Sequence, residues 1–265
     1  MKIIDSLNRL TIQVHPDKSF AKNVFASDYG KTEAWYIMGG RKVAGEEPYV
    51  LLGFKPGITE QKWRQVFNEQ DISAMINCLH KIFVKPGEVY FIEGGVPHAI
   101  GSGCFLLEIQ EPTDYTIRIE RKTPEGMELP EFLCHQGAGF EKIFDCFHYD
   151  GYSWKETINK WRISPQNLST NSDAAETSLI GNYCTKLFGI HHLSVHHNFQ
   201  TGLEESFAIV IVVSGQGKAI YDQGELVLKP ADLLFIPAAI GKINWITESS
   251  DPKLEILKCY PPSAE

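Results

Sequence analysis

The sequence predicts a mostly β protein of two related halves, the first carrying a small helical insertion, and three observations carry that prediction. Short apolar or alternating runs recur between Gly and Pro residues from Leu10 to Ile119 and again from Lys186 to Cys259, which is the rhythm of a β sandwich or barrel. Between Thr59 and Ile82 the rhythm becomes helical, with Trp63, Val66, Phe67, Ile72, Met75, Ile76 and Leu79 at helix-face spacing. Residues 85–98 align without gaps on residues 229–242, sharing Lys-Pro at the start, Phe-Ile in the middle and a turn at the same offset. Each half therefore carries one copy of a strand-turn-strand unit.

Taken in order, strands are expected over 10–14, 34–38, 49–54, 81–92, 104–109 and 116–119. The insertion over 59–82 reads as two short helices, with Thr59 and Asp71 placed to cap their free N–H groups. From Arg121 to about Asn182 the pattern loosens, and the polar run 164–173 is the best linker. Strands resume over 186–195, 207–214, 218–221, 226–228, 233–236 and 254–259. The implied division is a first domain over 1–120, an irregular connection over 121–182 and a second domain over 183–265.

Composition removes several classes of function. With 43% hydrophobic and 22% charged residues in 265, the chain can bury a core and is not disordered. A net charge of −8 with scattered Lys and Arg disfavours a nucleic-acid partner, so an anionic ligand must be held by a few local cations. No membrane span is expected: the longest apolar run, 207–213, is far short of the ~20 residues a bilayer requires. The start lacks the apolar core of a signal peptide. Cys78, Cys104, Cys134, Cys146, Cys184 and Cys259 show no C-x-x-C spacing, and read as reduced thiols of a cytoplasmic protein.

The chemistry gathers in the first half. Gln13 and His15 are two apart on a predicted strand and share a face with Thr11, and Lys31 and Glu33 repeat that spacing. His98 follows the turn made by Gly87, Glu93 and Gly95, a pattern matching the second cupin motif, in which the His enters the mouth of a jelly-roll barrel. Two imidazoles, a carboxylate and an amide oxygen form an N/O set suited to zinc and tolerable to manganese, iron or cobalt. Gln13 either ligates directly or orients His15. Lys31 either lines the site or is a solvated rim charge, and Arg118 either holds an anion or pairs with Asp114 or Glu120.

The segments LTIQVHPD (10–17), GKTEAWY (30–36), GVPHAI (95–100) and DYTIR (114–118) together resemble the type I phosphomannose isomerases of the cupin superfamily, in the same order and spacing. That resemblance covers residues 5–120 closely and the second half loosely, and by comparison the chain looks N-terminally short. It implies two cupin-like jelly-roll halves, and Gln13, His15, Glu33 and His98 as ligands of one divalent metal per chain, zinc foremost. It further implies Arg118 and Lys31 as catalytic residues, with Thr11, Lys31 and Arg118 contacting a hexose 6-phosphate. The implied reaction is interconversion of mannose 6-phosphate and fructose 6-phosphate by proton transfer between C1 and C2 through an enediol.

Other features receive plainer readings. His80, His135 and His148 are unassigned. His191, His192, His196 and His197 read as strand surface. In the second repeat Ala231, Ala239 and Lys242 stand where the first has Gly87, Gly95 and His98, and Glu204 and Glu205 lack a preceding Gln-x-His pair, so the second half is expected to bind no metal. Rival functions are a non-catalytic metal-binding sugar-phosphate cupin and an iron dioxygenase, the latter opposed by the ligand set and a phosphate-suited Arg.

Overall fold

The computed structural model describes residues 1–202, 206–247 and 253–262, and the chain divides into two compact units, Met1–Ile163 and Ser164–Glu265. Glu204 and Glu205 lie outside the described residues.

The first unit runs β1 (Lys2–Asp5), β2 (Gln13–Val14), α1 (Lys18–Phe25), β3 (Glu33–Gly40), β4 (Tyr49–Phe54), α2 (Glu60–Glu69), α3 (Ile72–Cys78), β5 (Leu79–Phe83), β6 (Val89–Ile92), β7 (His98–Ile100), β8 (Cys104–Gln110), β9 (Ile117–Arg118), α4 (Glu131–His135), a 3-10 turn Lys142–Cys146, α5 (Trp154–Trp161) and β10 (Arg162–Ile163). Its strands form two five-stranded sheets, ordered β1-β8-β3-β6-β10 and β5-β4-β7-β2-β9. The mostly β class holds, but each sheet ends in open edges, so the halves are sandwiches of two sheets and not closed barrels.

Strand β4 shows how the layers stack. All six of its residues are buried. Val50 and Leu52 face Trp35, Tyr90 and Ile92 of the other sheet, whereas Leu51 and Phe54 face the opposite way, onto Trp63, Phe67 and Met75 of the insertion. A strand covered on both sides reads as a continuous apolar run. The expected caps are in place: the Thr59 hydroxyl accepts from Lys62 N at 3.2 Å and the Asp71 carboxylate from Ala74 N at 2.9 Å.

Residues 121–182, expected as an irregular connection, are shared between the units. Ile143, Phe144, Cys146 and Phe147 pack in the same cluster as Trp63, Trp161 packs inside the sandwich, and β10 pairs with β6. The polar run 164–173 opens the second unit as an exposed edge strand whose turn is made by Asn171, its side-chain oxygen accepting from the N–H groups of Asp173 and Ala174.

The second unit comprises β11 (Gln166–Thr170), β12 (Ala174–Ile180), β13 (Gly189–Val195), β14 (Asn198–Gly202), β15 (Ala208–Ser214), β16 (Gly217–Tyr221), β17 (Gly224–Leu228), β18 (Leu233–Ile236), a 3-10 turn Ala238–Ile240, β19 (Lys242–Thr247) and β20 (Leu254–Tyr260). Its sheets are ordered β11-β12-β13-β20-β15-β18 and β14-β19-β16-β17. The repeat is structural as well as sequential. Glu88 accepts from Lys85 N at 3.0 Å before β6, and Asp232 accepts from Lys229 N at 2.9 Å before β18. Ala231 even keeps the left-handed backbone of its counterpart Gly87, with φ of 70° against 89°. Among the described residues no helix is long and apolar enough to cross a membrane.

Candidate metal centre

Three chain segments converge at Pro16 and Asp17. Lys31 N donates to Pro16 O at 2.9 Å and Gly95 N donates to His15 O at 2.7 Å. The approach is so close that a Cβ at Gly30 would lie 2.8 Å from Pro16 O, and one at Gly94 would lie 2.6 Å from Asp17 Cα. Glycines are therefore required at both places by backbone proximity. Asp17 also caps α1 through Phe20 N and meets His148 Nε2 at 3.0 Å. The result places His15, just after β2, beside Glu33 at the start of β3 and His98 at the start of β7.

These three side chains are buried, and one ligand atom from each lies within 4.8 Å of the others. His15 Nδ1 donates to Tyr115 O at 2.8 Å and His98 Nδ1 donates to Val96 O at 2.9 Å. With Nδ1 protonated on each ring, both Nε2 atoms carry lone pairs. Those lone pairs face Glu33: His15 Nε2 is 3.1 Å from Oε2 and His98 Nε2 is 3.4 Å from Oε1. Burial pushes both imidazoles toward the neutral form, His98 down to about 3. Burial alone would raise the Glu33 carboxyl, yet the groups around it hold it well below the usual range, and with both imidazoles neutral the cation that does so is Lys31.

Lone pairs opposed to a buried carboxylate call for a cation. Lys31 supplies part of one, 2.7 Å from His15 Nε2 and 3.1 Å from Glu33 Oε2. Glu33 Oε1, fully buried, has no hydrogen-bond partner. That orphaned oxygen and two aligned imidazoles fit a divalent metal of the zinc kind.

The remaining expected residues fall nearby with different partners from those the sequence suggests. The Gln13 amide donates to His98 Nε2 at 3.2 Å, so it addresses His98 and not His15. Lys31 is buried to 3% exposure and is no rim charge. Arg118 donates to Leu133 O at 2.7 Å and pairs with neither alternative: Asp114 lies beside Lys2, and Glu120 takes a bidentate contact from Arg9 at 2.5 and 2.9 Å. Thr11, Gln13 and Arg118 line a cavity of about 420 Å³ that Arg9 and Glu125 also border. Arg9 and its pairing with Glu120 go unnoticed in the sequence, where nothing pairs residues 111 apart. Trp35, whose ring meets His98 edge-on at 5.5 Å, is signalled by its place two residues after Glu33.

No family model matches the chain. It is 25% identical over 246 residues to the mannose-6-phosphate isomerase ManA of Bacillus subtilis, covering 92% of this chain and 70% of that protein. The crystal structure of the mannose 6-phosphate isomerase from Bacillus subtilis superposes with a TM-score of 0.76 at 22% identity, over 97% of this chain and 73% of the other. The chain is similar along most of its length to mannose-6-phosphate isomerases. A zinc-bound mannose 6-phosphate isomerase shares the fold with a TM-score of 0.71 at 15% identity, covering 98% of this chain and 78% of the other. In this chain, His15, Glu33 and His98 are the group among the described residues able to hold such an ion.

Proposed function

We propose that the chain is a metal-dependent aldose-ketose isomerase that interconverts mannose 6-phosphate and fructose 6-phosphate. One observation carries the reading: the buried Glu33 carboxylate, one oxygen of which has no hydrogen-bond partner, faces two imidazoles whose lone pairs are aimed by backbone carbonyls, next to a cavity bordered by Arg118.

In this reading His15, Glu33 and His98 hold the ion and Gln13 completes or steadies the set. When bound, a divalent metal supplies Lewis-acid polarisation of sugar oxygens. The protein's own groups do the rest. Arg118 presents a permanent cation at the cavity wall for the phosphate or for developing oxygen charge, and its contact with Leu133 O fixes its direction. Lys31, buried beside Glu33, places a second positive charge where an enediolate develops. Thr11 offers a hydroxyl to the substrate from the same cavity. The sandwich excludes water from the ligands, which strengthens each of these contacts.

Five buried thiols, Cys78, Cys104, Cys134, Cys146 and Cys259, support a reducing, cytoplasmic setting. The deciding experiment is a coupled assay with mannose 6-phosphate on metal-loaded protein, with and without chelator. Turnover that survives exhaustive chelation, or an equal rate on unphosphorylated mannose, overturns the proposal.

A further inference from the structure

The second unit carries no metal cluster among its described residues, yet its interior is not purely apolar. Gln166, Ser178, His191, Lys258, Val210 and Leu234 are successive cross-strand partners on β11, β12, β13, β20, β15 and β18. Directly opposed residues share a face, and so do residues two apart. Val210, Leu193 and Ile256 all belong to the hydrophobic core, so the whole row, with Glu176 beside it, lies on the inward face. The sequence reading of His191 as strand surface is thus corrected by its parity with Leu193 and Val195.

Three charged or chargeable groups meet there. Lys258, only 1% exposed, is ion-paired with Glu176, and His191 Nδ1 approaches the same Glu176 oxygen at 3.4 Å. Burying such a pair costs more than an apolar filling of equal size, so it adds little to packing and points to a site. Beside it opens a cavity of about 910 Å³ bordered by Gln166, Ser178, Asn182, Lys186, His191 and Tyr260 among others. No carboxylate among the described residues lines it, and the lining is rich in N–H and O–H donors around Lys186.

We infer that this cavity is a second binding site, carried wholly by the second unit, for a small ligand bearing a phosphate or carboxylate group. Lys186 provides the accessible cation, and His191 links the ligand to the Glu176–Lys258 pair behind it. The donors of Gln166 and Ser178 complete the cradle. A ligand of this class sits comfortably in an otherwise acidic chain only where local cations are gathered in this way.

The test is a titration of the full-length, metal-loaded protein with inorganic phosphate, citrate and glucose, following the His191 ring resonance by NMR, assigned by its loss in His191→Gln. A saturable shift with phosphate or citrate is expected, the tighter of the two identifying the anion class, with none from glucose. Lys186→Glu should weaken it by about tenfold or more, while Arg118→Ala leaves it within about twofold because that residue belongs to the other site. No saturation below about 10 mM, an equal shift with sodium chloride or glucose, or indifference to Lys186→Glu would each overturn the inference. These readouts do not depend on isomerase activity, so its failure leaves that reading intact.

Discussion

Gln13 and His98 are partners twice over: their backbones pair between β2 and β7, and their side chains meet at 3.2 Å between Gln13 Nε2 and His98 Nε2. The strand pairing thus sets the Gln13 amide beside His98 Nε2, where a turn of the amide group would present its oxygen to an ion held there. Gln13→Leu should weaken metal affinity by roughly 10–100-fold, the usual effect of losing a group that supports a ligand, while leaving one equivalent bound at saturation. His98→Ala should abolish stoichiometric binding. Metal titration by calorimetry checks both, and unchanged affinity in Gln13→Leu would remove the amide from the centre.

Arg118 touches the cavity without touching the three ligands. Arg118→Ala should cut kcat by ~10²-fold or more, as for loss of a cation acting on transition-state charge, with metal content unchanged. Elemental analysis beside steady-state kinetics separates the cases: lost metal or lost folding would return Arg118 to a purely structural tie to Leu133.

Gly94 is a stringent steric test. A methyl there would sit 2.6 Å from both Asp17 Cα and Pro16 O, atoms of a backbone that cannot swing aside. Gly94→Ala should cost about 1–3 kcal/mol of stability, the range for overpacking, and should weaken metal binding, since the same contact sets His15 against His98. Chemical denaturation checks it; a neutral variant would mean that the three segments have room to part.

His80 offers a pH prediction away from the metal. It is buried with Nε2 donating to Tyr152 O at 2.8 Å, and burial lowers its pKa, with the nearby Lys55 adding to the effect. Trp154 packs on the ring as its other neighbour. A histidine held neutral in the folded state binds fewer protons than the unfolded chain below the ordinary value near 6.5. Its stabilising effect is therefore complete above that pH and is lost as pH falls below it. Unfolding free energies from pH 7.5 to 5 should fall less steeply for His80→Gln than for the parent chain, compared at equal metal loading. Parallel curves would show that His80 charges freely.

Much of the metal centre is legible because strand parity and glycine spacing are local. Thr11, Gln13, Lys31, Glu33 and His98 are named by i, i+2 pairs and one turn, and the two helix caps by single polar residues ahead of apolar runs. Their long-range partners are not legible, because Tyr115 O beside His15 and the Arg9–Glu120 pair join loop residues 100 and 111 positions apart, whereas Val96 O is a local partner two residues before His98. The return of residues 142–163 to the first unit is hidden by brevity: the 3-10 turn and β10 leave almost no period. Helix α5 did carry a signal, the capping box of Ser153 and Glu156, whose side chains satisfy each other's backbone N–H groups at 3.4 and 2.8 Å. In the second unit, strand alternation placed His191 inward; four histidines in seven residues obscured that parity.

The pairing of β2 with both β7 and β9 also sets the order of events during synthesis. His98 leaves the ribosome 83 residues after His15, about 4–17 s later at roughly 5–20 residues per second. Through that interval His15 and Glu33 lack the His98 imidazole, and a passing ion meets only a fragment of its final coordination. Assembly of the sandwich must come first and metal capture second. Zinc added at the start of refolding should accordingly raise final stability without speeding the appearance of folded protein, and an accelerated folding phase would place the ion among the nucleating contacts instead.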